Sequence, residues 1–135
     1  GLEVLDIVED ERNKRQKIKE AYETFLNNVP GIKVLTHLEG DRSSYQYFVI
    51  QVEEKEYGYS RDWLHEKLKE YNVFTRKYFY PLCSEFSWYQ HLESTTKENL
   101  PVAHKAVMSV LAMPFYGELE IEKVEKICMI IRGHL

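Results

Sequence analysis

The sequence predicts an α+β fold: a small, mostly antiparallel sheet with helices packed on one side, preceded by a long helix. Three observations carry this. Apolar spacing switches along the chain between helical periodicity and alternation. The links between the segments are short, which favours antiparallel neighbours over long crossovers. At 135 residues and 44% hydrophobic, the chain is long enough to bury one core and has no composition typical of disorder.

The elements follow in order. From Glu9 to Glu20 nine of twelve residues are charged, and Ile18, Tyr22, Phe25, Leu26 and Val29 then fall along one helical face. This is a long surface helix with a solvated first half, ended by Asn27-Asn28-Val29-Pro30-Gly31. The apolar cluster Val4, Leu5, Ile7 and Val8 ahead of the charges calls for something to pack against, and a preceding segment is expected. Ile32 to Leu35 is a short strand, and His37 to Ser44 a polar loop. Tyr45 to Val52 is the strongest strand, apolar on both faces and therefore central. Glu53 to Gly58 reads as a charged turn. Ser60 is an N-cap for a helix with Trp63, Leu64, Leu68 and Tyr71 inward, closed by Asn72. Val73 to Tyr80 is extended until Pro81, and a loop or short helix runs on through Trp88, Tyr89 and His91. Pro101 opens a helix towards Val110, Leu111 to Met113 is extended, and Glu120 to Arg132 is a helix with Ile121, Val124, Ile127, Cys128 and Ile131 in one stripe.

Several function classes are disfavoured. With 18 Lys and Arg against 22 Asp and Glu, the net charge of −4 does not suit a phosphate-backbone binder, so no nucleic-acid partner is expected. No apolar run reaches the roughly 20 residues of a membrane span, and the chain is expected to be soluble and cytoplasmic. Cys83 and Cys128 show neither disulfide-framework nor zinc spacing and read as buried small hydrophobes. His37, His65, His91, His104 and His134 lack paired ligand spacing, so no metal site is expected and each reads as surface or packing. Signatures for hydrolase nucleophiles, phosphate loops and metalloprotease helices are missing, and no catalytic residue is assigned.

One stretch stands out. Thr75-Arg76-Lys77-Tyr78-Phe79-Tyr80-Pro81-Leu82 sets two cations before three aromatic rings. Guanidinium and phenol groups suit an anionic ligand with a flat or sugar-like part. The same pattern also fits a core-packing aromatic strand whose cations point to water.

The runs Ser60-Arg61-Asp62-Trp63-Leu64, Asn72 to Leu82, Asn99-Leu100-Pro101-Val102-Ala103, Tyr45-Gln46-Tyr47-Phe48 and Met113-Pro114-Phe115-Tyr116 resemble the C-terminal part of the DegT/DnrJ/EryC1/StrS sugar aminotransferases. These five blocks cover nearly the whole chain. The resemblance implies a pyridoxal-phosphate enzyme of aspartate-aminotransferase type, moving an amino group from an amino acid, usually glutamate, to a nucleotide-linked keto-sugar for polysaccharide or amino-sugar biosynthesis. It implies that residues 1–30 are a long inter-domain helix and residues 31–135 the small C-terminal domain. A large N-terminal domain, absent here, would carry the lysine and most of the coenzyme contacts. No coenzyme-binding residue is therefore assigned in this chain, which is expected to be inactive alone and to belong to a homodimer when whole. Carried over by position, Arg76 and Tyr78 would face the substrate, with Lys77, Phe79 and Tyr80 behind them. Many relatives have a histidine where Tyr78 stands, and others two arginines where Arg76-Lys77 stand. The five cations between Arg12 and Lys19 read as a solvated helix face.

Two other classes remain open at this level: a free-standing α+β module binding a ligand or a protein through the aromatic strand, and a regulatory or dimerisation domain attached to a different enzyme.

Overall fold

The computed structural model describes residues 4–5, 7–35 and 43–133. His37, Gly40 and Asp41 of the expected polar loop, and His134, lie outside the described residues.

Helix α1 (Val8–Leu26) opens with Glu9, Asp10 and Glu11, whose charges complement the positive end of the helix dipole. It buries Ile18, Tyr22 and Leu26, while Val4, Leu5, Ile7 and Val8 are exposed. Asn28 and Gly31 then adopt positive φ and reverse the chain. Glycine is required at 31: at φ +72° a Cβ would run into the Tyr57 backbone and the Glu53 carbonyl, to which this turn is held by the Glu53 amide donating to Gly31 O at 2.7 Å.

Strands β1 (Ile32–Val34) and β2 (Phe48–Val52) pair antiparallel. β2 begins three residues later than the sequence suggests. Tyr45 sits at positive φ and its carbonyl accepts from Arg15, so this backbone is satisfied from α1 instead of a ladder. The charged turn is the short helix α2 (Glu54–Tyr57), closed by Gly58 in the left-handed region.

In α3 (Arg61–Glu70), Ser60 caps as expected, accepting from the Trp63 amide at 3.1 Å, and Asn72 at φ 59° ends the element. Leu64 and Leu68 are inward, but Trp63 and Tyr71 are largely exposed, and the third inward position is Arg61. The extended run Val73 to Tyr80 pairs over only two residues, β3 (Arg76–Lys77), because the chain turns at once, with the Tyr80 amide donating to Lys77 O.

Two 3₁₀ turns, Cys83–Glu85 and Glu93–Thr95, carry the chain onward. Cys83 is exposed on the first, correcting its reading as a buried hydrophobe, whereas Cys128 is buried, which pushes its thiol pKa up to about 12. Helix α4 (Pro101–Ser109) starts with proline in its first turn and leads into β4 (Val110–Met113), buried throughout. Helix α5 (Ile121–Ile131) buries Val124, Ile127, Cys128 and Ile131, while Ile121 at its first turn is exposed.

The sheet order is β1-β2-β4-β3, all neighbours antiparallel, so β2 is central as expected. Opposed pairs share a face. Phe48 with Met113 and Ile50 with Leu111 form the face on which α1, α3 and α5 build the core. Tyr22, fully buried there, stacks on Phe48 at 4.6 Å and donates to Pro114 O at 3.0 Å. Val49 with Ala112 and Gln51 with Val110 form the opposite face. The shorter α4 runs along that second face. Among the described residues no helix is long and apolar enough to cross a membrane.

Candidate functional site

The register of β3 decides where each candidate residue points. Arg76 is opposite Ala112 and Lys77 opposite Leu111, so the two cations lie on different faces of the sheet. Lys77 turns towards the helices, where its ammonium lies 2.9 Å from Asp62 Oδ1. That hydrogen bond, helped by the Arg61 guanidinium, holds the Asp62 carboxyl below the usual carboxylate range, so Asp62 is a carboxylate at neutral pH. Tyr80 belongs to this group too, its ring 5.8 Å from both the Arg61 guanidinium and the Lys77 ammonium.

Arg76 is exposed on the second face, and its guanidinium has no ion-pair or hydrogen-bond partner among the described residues. Tyr78 and Phe79 lie on the same side. They stack at 4.1 Å, and Tyr78 also meets Tyr47 at 5.1 Å. Together with Val49 and with Ala103 and Ala106 of α4, these three rings line an open groove of about 660 Å³. The five candidates therefore divide: Arg76, Tyr78 and Phe79 face the groove side, while Lys77 and Tyr80 face Asp62 and Arg61.

Tyr47 was not singled out from the sequence as a site residue. The available signal was its alternation with Val49, which places it on the face away from the core. The cations of α1 are also less solvated than expected. Arg12 donates to Ser43 O at 2.7 Å and Arg15 to Tyr45 O at 3.1 Å, and the Arg12 guanidinium lies 5.4 Å from the Tyr45 ring. They fix the segment that delivers Tyr47 to the groove.

The described residues do not form a cradle for pyridoxal phosphate. A lysine that forms an imine works as a free amine, in a pocket that lowers its pKa. Here no described lysine is buried, and the three that are half-buried, Lys19, Lys67 and Lys77, are each tied to a carboxylate, Glu23, Glu70 and Asp62. Nor do three potential metal ligands cluster among the described residues. What this face offers is recognition: a groove walled by stacked phenol and phenyl rings, and on the same sheet face the Arg76 guanidinium, unpaired among the described residues.

Residues 1–132 match the DegT/DnrJ/EryC1/StrS aminotransferase family. The chain belongs to this family. A dTDP-4-amino-4,6-dideoxy-D-glucose transaminase from Escherichia coli is 36% identical over all 135 residues, which cover 36% of that protein. The spore coat polysaccharide biosynthesis protein SpsC of Bacillus subtilis (strain 168) is 28% identical over 98% of the chain and 34% of its own length. Among solved structures, DesI in the presence of its TDP-sugar product superposes with a TM-score of 0.89 at 26% identity, over 98% of this chain and 33% of DesI. The chain thus spans about a third of the length of the DegT/DnrJ/EryC1/StrS relatives it matches.

Proposed function

We propose that this chain is the small C-terminal, sugar-orienting part of a pyridoxal-phosphate-dependent aminotransferase that acts on a nucleotide-linked keto-sugar. Residues 31–135 form its small domain, and residues 1–30 the helix joining it to a large domain that holds the coenzyme. The donor is an amino acid, with glutamate the natural first choice, and the whole enzyme is a cytoplasmic homodimer in polysaccharide or amino-sugar biosynthesis. Family membership, coverage of a third of the relatives and the sugar-nucleotide names of those relatives support this reading. The observation that carries it is the shared placement of Arg76, Tyr78 and Tyr47 on the sheet face away from the core, with the Arg76 guanidinium unpaired among the described residues.

In this reading the Arg76 guanidinium pairs with phosphate oxygens in two-pronged fashion, which a lysine cannot reproduce. Tyr78 packs its ring on the flat or sugar part of the substrate and aims its hydroxyl at a sugar oxygen. Phe79 and Tyr47 shield that contact from water. Such groups act by orientation, so their loss is felt in turnover as well as in affinity.

The test is Tyr78→Ala in the whole enzyme, followed by single-turnover kinetics of the two half-reactions. The amino-acid half-reaction and coenzyme absorbance are expected to stay at wild-type values, and the sugar half-reaction to slow by about 10- to 100-fold. Wild-type rates in both halves would remove Tyr78 from the site.

A further inference from the structure

Two polar contacts from α3 reach the same strand segment, and neither involves Arg76 or Tyr78, the residues that would face the substrate. Asp62 Oδ1 meets the Lys77 ammonium at 2.9 Å, and His65 Nδ1 meets Thr75 Oγ1 at 2.7 Å. Asp62 and His65 are three apart on the helix, hence on neighbouring turns of one face. Thr75 and Lys77 are two apart on an extended chain, hence on one side of it. The helix therefore grips that side of the strand at two points, while alternation sends Arg76 to the other side and Tyr78, in the turn that follows, lines the groove there.

The grip matters because the ladder there is minimal. Among the described residues β3 pairs with β4 over Arg76 and Lys77 only, and no strand pairs with its outer edge. A one-residue slip would exchange the faces of the entire segment, bringing Lys77 and Thr75 to the groove and turning Arg76 inward. A two-residue ladder resists such a slip weakly; two side-chain contacts spaced to match the strand repeat resist it well.

We propose that Asp62 and His65 are positioning residues that fix the facing of the substrate segment, and that Lys77 is the strut through which Asp62 acts. The inference rests on the assignment of Arg76 and Tyr78 to the sugar substrate. It gives Lys77 a role distinct from that of its neighbour: the cation next to the substrate arginine holds the strand and does not bind the ligand.

The test uses the whole enzyme and two readouts, amide hydrogen exchange of the peptide covering residues 74–80 and the Michaelis constants for both substrates. In the double variant Asp62→Asn with His65→Ala, exchange in that peptide is expected to rise about tenfold. The KM for the nucleotide-sugar should rise several-fold while that for the amino donor stays unchanged. Lys77→Met should reproduce the Asp62 part of the effect, and Lys77→Arg, which keeps the ion pair, should restore it. Unchanged exchange in the double variant, or equal rises in both Michaelis constants, would overturn the proposal. Failure of the underlying assignment looks different: Tyr78→Ala would then leave the sugar half-reaction untouched even though the double variant loosened the peptide, and the functional part of the inference would fall with it.

Discussion

Replacing Arg61 with alanine is expected to lower the stability of this fold by about 2–4 kcal/mol. Arg61 is 2% exposed, a rare state for arginine that calls for compensation. Its Nη1 donates to Val107 O and to Val110 O, each at 3.0 Å, and its Nε to Asp62 Oδ1 at 2.7 Å. Val107 lies in the last turn of α4, where carbonyls have no intrahelical partner, so the guanidinium caps that helix and complements the negative end of its dipole. Alanine would leave two buried carbonyls without this donor, at roughly 1–3 kcal/mol each, and a void where the side chain packed. Against this stands relief from the desolvation cost of a cation whose Nη2 has no hydrogen-bond partner among the described residues. The lost acceptor partners outweigh that relief, because Asp62 is half exposed and is not stranded as a buried charge. Arg61→Met, which keeps the volume and loses the donors, should recover part of the loss. The check is the urea midpoint at constant slope. An alanine variant as stable as wild type would show that burying the guanidinium only breaks even.

Leu111→Ala is expected to cost about 2–5 kcal/mol. Leu111 is fully buried in β4, the strand that pairs with both β2 and β3, and it faces Ile50, also fully buried. A cavity at this point would lie under the sheet between α1, α3 and α5, held open by elements pinned through other contacts, so little collapse is available to offset it. The same substitution at exposed Met108 serves as the control and should change stability by no more than about 0.5 kcal/mol. Equal effects at the two positions would contradict the placement of the core on this face.

Local signals in the sequence were strong where one side chain and its neighbours determine the outcome. The Ser60 cap, the proline opening α4, the reversal at Asn28 and Gly31, and the stripes of α1 and α5 follow from periodicity and turn chemistry. The α+β class and the central place of β2 follow from apolar alternation. What escaped is set by pairing across the chain. Alternation shows that Arg76 and Lys77 point opposite ways but not which one meets the helices; that depends on their opposing Ala112 and Leu111. The burial of Arg61 cannot be read from its neighbours in sequence, because its acceptors, Val107 and Val110, lie more than forty positions away. Hydropathy also does not tell a core ring from one on an open face, so the sequence does not reveal that Phe79, Tyr80 and Trp88 are exposed while Tyr22 is fully buried. The Arg76 to Tyr80 stretch was legible as a candidate site, its division between groove and helix side was not.

In the function proposed above, these 135 residues orient a sugar while the coenzyme is held elsewhere in the enzyme. That claim is tested most directly by titrating pyridoxal phosphate into the purified chain and into the whole enzyme, following visible absorbance after removal of unbound coenzyme. The whole enzyme should retain one equivalent per subunit and the chain alone none. Stoichiometric retention by the chain alone, with a new visible band, would contradict the claim.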